Sequence, residues 1–301
     1  MNRTTLVPTA ATLVEKLPRV LRRHRLMTAW MRLTGEDPLQ LVRIRDDSFG
    51  YADMSDGFLR LIVIDGGFEA DFFRIADRLL EPGGVMFDVG ANHGLLSFGM
   101  AGKHADRIAF HLFKPIPRLV RSIEKTKTHY RAMNLTLNHA AVADYDGEVS
   151  FAVADEETGR SHIDATGGLS IRCLKLDSYL AQTGIDQVDV LKLDVEGYEL
   201  SVLRGAAAAL ERRAIKAIYF EYFEKFLIRV APPEVLIGFL DDLGYEVCFC
   251  RQFDLDNNGP PTHTLAEGLP GHGLPLTPVR GRARPSMTDL LAVPKENLVE
   301  R

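Results

Sequence analysis

From residue 85 onward, short apolar runs alternate with stretches of helical period, and this alternation suits a parallel sheet joined by crossover helices. Strands are expected over Val85–Val89, Ile108–Phe113, Leu135–Val142, Val188–Leu193 and Lys216–Glu221. Helices are expected between them, over Leu95–Gly102, Arg118–Tyr130 and Tyr198–Arg212. A helix from Pro233 to Leu243 then precedes two last strands, Tyr245–Cys250 and Asp289–Val293, so the pattern predicts a doubly wound α/β sheet of seven strands. Glu148–Val153 and Ser170–Leu174 read as a small antiparallel excursion.

Upstream, Leu13–Leu33 mixes Leu17, Val20, Leu21, Leu26, Trp30 and Leu33 with Arg19, Arg22, Arg23 and Arg25. Such a basic amphipathic region, interrupted at Pro18, is expected to pack on the domain or on a homodimer partner in preference to a membrane surface. Leu41–Ile64 reads as short strands around turns such as Asp56-Gly57, and a helix over Ala70–Leu80 stops at Pro82-Gly83-Gly84. Residues 1–64 are therefore expected to form an N-terminal helical extension with short strands, and residues 65–301 the main domain. Arg251–Ser286 is dense in Pro and Gly and lacks a hydrophobic period, which predicts a long loop above the active-site end of the sheet.

A formal net charge of -5 over 301 residues argues against a generic nucleic-acid binder, which needs a basic face. No run of about 18 apolar residues is present to span a membrane, and the N-terminus lacks the apolar core of a signal peptide. The cytoplasm is the expected location. Three cysteines lack the paired spacing of a metal site, and Cys248 and Cys250 share one strand face, so buried packing is expected and no metal.

The segment Asp88-Val89-Gly90-Ala91-Asn92-His93-Gly94 ends a strand in an acid and turns through two glycines into a helix. Such a turn lies at the carboxyl ends of the strands, where open α/β sheets bind ligands. Gly90 permits the tight turn and Gly94 a close approach, while Asp88 would attract a cation and the helix N-terminus a carboxylate. Asn92 stands where a dinucleotide fingerprint has its second glycine, which disfavours a nicotinamide-dependent oxidoreductase.

A second motif, Leu191-Lys192-Leu193-Asp194-Val195-Glu196-Gly197-Tyr198-Glu199, places Asp194 and Glu196 just past a buried strand. Acids there act either as a helix N-terminal cap or as working groups, since desolvation makes them costly. With these motifs the chain resembles the FkbM-type methyltransferases. The resemblance also rests on Phe68-Glu69, on Ala141-Val142-Ala143-Asp144 before Gly147, on Leu203-Arg204-Gly205-Ala206 and on Glu221, and it covers about residues 65–225.

The resemblance implies a Rossmann-like methyltransferase sheet with an antiparallel last strand, S-adenosylmethionine as donor, and a small-molecule or glycan hydroxyl as acceptor. It assigns Asp88, Gly90, Asn92 and Gly94 to the methionine end of the donor and Asp144 to the adenine, with His93 also at the cofactor site, and it turns Asp194 and Glu196 towards the reacting centre. Attack by an aliphatic hydroxyl needs a base, for which Asp194 is the first choice and Glu196 or Glu221 the alternatives. His93, His263 and His272 are weaker candidates, and Arg280, Arg282 and Arg284 offer charge to an anionic acceptor or simply to solvent.

One position departs from the pattern. Family members end the second strand with an acid that grips the donor's ribose, whereas here the segment reads Phe113-Lys114-Pro115. A lysine donates to a hydroxyl but cannot accept from two, so donor binding is expected to persist but weaken by about 1–3 kcal/mol. On that reading Lys114→Glu tightens binding. The alternative function is a catalytically weakened binding or scaffold protein.

Overall fold

The computed structural model describes residues 23–56, 59, 69–104, 106–152, 162–163 and 168–301. The expectations for Leu13–Arg22, for Gly57 and 60–64, for Phe68 and for Val153 lie outside the described residues. At its centre is a sheet whose parallel strands are β3 (Val85–Val89), β4 (Ala109–Phe113), β5 (Asn134–Asn138), β10 (Val190–Leu193) and β11 (Ile218–Phe223). Next to β11 runs β15 (Met287–Pro294), antiparallel both to β11 and to β12 (Tyr245–Phe249) beyond it. The full order is β14-β12-β15-β11-β10-β3-β4-β5, so the chain's last long strand is inserted between two earlier ones, as the resemblance implies. An eighth strand, β14 (Thr277–Pro278), adds a two-residue edge to the seven expected.

Helices cover both faces, which explains why β10 is buried at all four positions, Lys192 among them. On one face Phe87, Leu191, Leu193 and Phe220 meet α6 (Glu199–Arg204), α7 (Ala207–Glu211) and α9 (Pro233–Asp242). On the other, Met86, Val190 and Tyr219 meet α2 (Ala70–Leu79) and α3 (Leu95–His104), with Phe72, Ile75 and Phe98 fully buried. Each such side chain contributes about 1.5–3 kcal/mol on burial. The first crossover after α3 is α4 (Pro117–Lys127), which starts on Pro117, a residue suited to a first helical turn.

Two smaller units flank the sheet. A hairpin of β1 (Leu39–Arg45) and β2 (Ser48–Asp53), with α1 (Arg23–Thr34), leans on α3 and α4. Tyr130 Oη fixes it, accepting from Phe49 N and donating to Phe49 O at 2.6 Å each. Strands β6 (Ala141–Val142), β7 (Gly147–Ala152), β8 (His162–Ile163) and β9 (Leu169–Leu174) form a four-stranded sheet, the expected excursion enlarged. Helix α5 (Leu176–Thr183) then leads back towards the core.

Three expectations change. The stretch Leu135–Val142 divides between two sheets because the chain leaves the central one after Asn138. The helix expected over Tyr198–Arg212 breaks at Gly205, where a Cβ would sit 2.1 Å from the Ala143 carbonyl oxygen. The segment 251–286 does not form an open loop. Its Leu255, Leu265, Leu274, Leu276 and Val279 are buried at irregular spacing, which hid them from a periodicity reading. It includes α10 (Gln252–Asn257) and β13 (His263–Leu265), the latter pairing with β16 (Leu298–Glu300). Arg78 anchors it by donating to His272 O at 2.6 Å.

Candidate active site

The turn after β3 is stitched to both neighbouring strand ends. Gly90 N and Ala91 N donate to Phe113 O at 3.1 and 3.2 Å, and Asp194 N donates to Val89 O at 3.1 Å. Gly90 has φ +79°, and a Cβ there would lie 1.8 Å from the Asp194 carbonyl oxygen, so the two motif loops touch backbone to backbone. Asn92 also takes the left-handed conformation, with φ 49°.

Beneath this contact lies Lys192, only 5% exposed. Its Nζ donates to Gly90 O at 3.0 Å and pairs with Asp88 Oδ1 at 3.3 Å and Asp194 Oδ2 at 3.4 Å. Burial opposes its charge, yet the carboxylates of Asp88 and Asp194 hold its pKa above the ordinary lysine value. Asp88 therefore braces the turn from below, its Oδ2 accepting from Ser97 Oγ at 2.8 Å. A lysine inside a strand covered on both faces must have partners, and that was the sequence signal for Lys192.

The second loop is held by Glu199, buried at the start of α6. Its Oε1 accepts from Val195 N at 3.0 Å and Gly197 N at 3.4 Å, while Oε2 has no hydrogen-bond partner among the described residues. Burial raises this carboxyl to about 7. Arg229 adds a bond from Nη1 to Glu196 O at 2.6 Å, and Glu196 itself has φ 57°.

Between the loops opens a cavity, partly open to solvent. Gly90, Asn92, Lys114, Asp194 and Glu196 line it, joined by Tyr198. The rest of its wall is apolar, with Phe113, Pro115, Ala140, Val142, Phe151 and Val195 as the main contributors. Asn92 Oδ1 is buried and has no hydrogen-bond partner among the described residues. Burial lowers the Lys114 ammonium to about 8 despite the attraction of Asp194 and Glu196, and burial together with Asp194 raises the Glu196 carboxyl.

Five other residues expected at the site do not line the cavity. Asp88 lies below the turn, and Gly94 packs on Phe98, Leu112 and Ile123, where a Cβ would meet each within 3.0–3.3 Å. His93 is buried, its Nδ1 2.7 Å from Ser122 Oγ and its Nε2 accepting weakly from Asp53 N at 3.4 Å. Because Ser122 Oγ donates to Leu119 O, the proton of His93 belongs on Nδ1, and burial lowers its pKa to about 4. Asp144 is exposed and accepts from Ser201 Oγ at 3.0 Å.

Glu221 stands beside the cavity in a row of acids. It is opposite Asp289 across the β11–β15 pair, one pleat beyond the level of Lys192 and Tyr219. Burial first, and then neighbouring carboxylates, raise Glu69 to about 7 and shift Glu221 upward. Asp289 is raised to about 6, and Arg251 Nη1 lies 3.5 Å from its Oδ2. Asp289 and Arg251 escaped the sequence reading as site residues because they come from separate elements, and Glu69 entered it only as part of the resemblance.

The three loop arginines turn to the protein. Arg280 pairs with Asp241, Arg282 donates to Asn258 O at 3.0 Å, and Arg284 donates to Tyr222 Oη at 3.3 Å. His263 and His272 likewise lie outside the cavity. Among the described residues, no group of three or more His, Cys, Asp or Glu is arranged to hold a metal ion, and no helix is long and apolar enough to cross a membrane.

A polar cleft between two motif loops at the carboxyl ends of an open α/β sheet is the ligand site of a nucleotide-binding class of fold. Within that class the chain belongs to the methyltransferase FkbM domain family, whose model matches residues 88–247. It is 26% identical over 144 residues to the hexuronic acid methyltransferase AglP of Haloferax volcanii, covering 48% of this chain and 58% of that protein. It is 22% identical over 173 residues to the 2-O-methyltransferase NoeI of Sinorhizobium fredii, covering 51% of this chain and 69% of that protein. Among solved structures, the methyltransferase FkbM from Methylobacillus flagellatus KT superposes with a TM-score of 0.44 at 14% identity, over 94% of this chain and 58% of its own.

The donor of this family is S-adenosylmethionine, and the residues of the cavity fit it. The unpartnered Asn92 Oδ1 would accept from an ammonium group. Ala140, Val142 and Phe151 would offer an apolar slot to a purine, and Asp194 and Glu196 would offer negative charge to a sulfonium.

Proposed function

We propose that this protein transfers a methyl group from S-adenosylmethionine to a hydroxyl oxygen of a sugar or similarly hydroxylated acceptor. The observation that carries this reading is the position of Asp194, which lines the cavity with its side chain 40% exposed and its Oδ2 3.4 Å from Lys192 Nζ. It is both ion-paired and open to an incoming group. The names of the two curated relatives, one a hexuronic acid methyltransferase and the other a 2-O-methyltransferase, support a sugar-like acceptor and an oxygen as the methylated atom.

When bound, the donor supplies an electrophilic methyl carbon on a positively charged sulfur. Asn92, Asp194 and the apolar wall hold and orient that group. Asp194 takes the acceptor's hydroxyl proton as the oxygen–carbon bond forms and the carbon–sulfur bond breaks, leaving a neutral thioether. Lys192 keeps Asp194 in place through its bonds to Gly90 and Asp88. The acids Glu69, Glu221 and Asp289 offer acceptors, and once protonated donors, to the other hydroxyls of a polyol.

The test is a radiolabelled methyl-transfer assay over a panel of hydroxylated glycans and natural products. Asp194→Asn should lower kcat by about 100-fold or more with donor affinity within a few-fold of wild type. Transfer that persists undiminished in Asp194→Asn would remove its role as base.

A further inference from the structure

The donor cavity has a lysine, Lys114, where the resemblance implies a carboxylate, and a carboxylate, Glu196, lines the same cavity. Lys114 leaves the end of β4, and Glu196 comes from the loop after β10. Both line the cavity, and they come from loops on either side of the Gly90 turn, because β10 and β4 flank β3 in the sheet. We propose that Lys114 and Glu196 together grip the ribose of the donor, Lys114 Nζ donating to one hydroxyl oxygen while a Glu196 carboxylate oxygen accepts from the other hydroxyl. This rests on the donor reading given above.

The chemistry of a vicinal diol requires the partnership. Each hydroxyl offers one donor and accepts through its lone pairs, so an acid alone can take both protons, whereas a lysine alone can serve only as donor. An ammonium near a sulfonium would also repel the ligand unless a second anion offset it. Here Asp194 and Glu196 both attract Lys114, which leaves the three groups with one net negative charge when all are ionised. The backbone supports the placement. Glu196 takes a left-handed conformation, Arg229 holds its carbonyl, and a Cβ at Gly197 would lie 2.2 Å from the Phe226 carbonyl oxygen, so only glycine fits there. One backbone conformation and two contacts thus fix the segment from which the Glu196 side chain departs.

The consequence differs from simple loss of a ribose acid. If Lys114 were merely a defect, Lys114→Glu would restore the family arrangement and tighten binding. If Lys114 and Glu196 act as a pair, Lys114→Glu sets three carboxylates around one ribose and weakens it. The two readings therefore give opposite signs for one substitution.

Calorimetric titration with S-adenosylhomocysteine and its 2′,3′-dideoxy analogue decides between them. Wild type should prefer the hydroxylated ligand by about tenfold or more, and Lys114→Met and Glu196→Gln should each lose most of that preference while binding the dideoxy analogue as wild type does. Lys114→Glu should weaken S-adenosylhomocysteine about tenfold, and the exchange Lys114→Glu with Glu196→Lys should recover most of the loss. The exchanged protein keeps the cavity's charge, so it controls for failure to fold. Tighter binding by Lys114→Glu, or an undiminished hydroxyl preference in both single variants, overturns the pair. Binding of neither ligand by wild type overturns the donor reading itself and the pair with it.

Discussion

Lys192 Nζ and Asp88 Oδ1 stand 3.3 Å apart beneath the glycine turn, and the same ammonium donates to the Gly90 carbonyl above it. One buried cation thereby ties the first motif to the second and holds Asp194 at the cavity's edge. Removing one partner of a buried pair leaves a charge without compensation, which costs about 3–5 kcal/mol. Lys192→Met should lower unfolding stability in urea by that amount, and Lys192→Met with Asp88→Leu should cost less than Lys192→Met alone. Equal losses in the two proteins would mean that the pair is not what holds the turn.

Gly90 meets the Asp194 carbonyl so closely that no side chain fits. Gly90→Ala must part the two loops or unfold the turn, and φ +79° adds backbone strain. We expect a loss of about 3 kcal/mol or more in stability, and donor binding reduced beyond what the folded fraction explains. A variant with the stability and donor affinity of wild type would contradict the backbone contact.

Two buried groups should respond to pH with opposite sign. The Glu199 carboxyl is raised to about 7 from its ordinary value of 4.5, so the folded state binds its proton more tightly than the unfolded state. Its stabilisation is full below pH 4.5 and is lost as pH rises through 7. Glu199→Gln keeps an acceptor for Val195 N and Gly197 N but does not titrate, so relative to wild type it should gain stability over that rise, by on the order of 3 kcal/mol at most. His93 is lowered to about 4 from 6.5, and its stabilisation is present above 6.5 and lost as pH falls through 4. His93→Gln should therefore gain on wild type as pH falls. Thermal melts of the three proteins between pH 4 and 8 check both signs.

Much of this was legible in the chain. The strand-to-helix turn at Asp88–Gly94 and the acids after β10 announced themselves because a parallel sheet puts such turns at one end, and the inserted β15 followed from the resemblance. Side-chain direction was less legible. His93 and Asp88 belong to the turn by sequence, yet their atoms face Ser122 and Lys192, since partners 29 and 104 residues away decide where they point. Asp144 turned outward because Ser201 of α6 offered it a hydroxyl. Glu69, Glu221 and Asp289 form one acidic row only after β15 has entered the sheet beside β11, and no local pattern encodes that pairing. The folding of 251–286 was hidden for a related reason. Its leucines are spaced for contact with α2 and β16, not for a helix or a strand of its own.

Titration of the whole chain with S-adenosylmethionine tests the central claim most directly. The cavity between the Gly90 and Asp194 loops predicts one saturable site per chain, competed by S-adenosylhomocysteine and weakened in Asn92→Ala, which removes the unpartnered acceptor on its wall. No saturable heat from wild type at millimolar donor, or binding indifferent to Asn92→Ala and to S-adenosylhomocysteine, would contradict it.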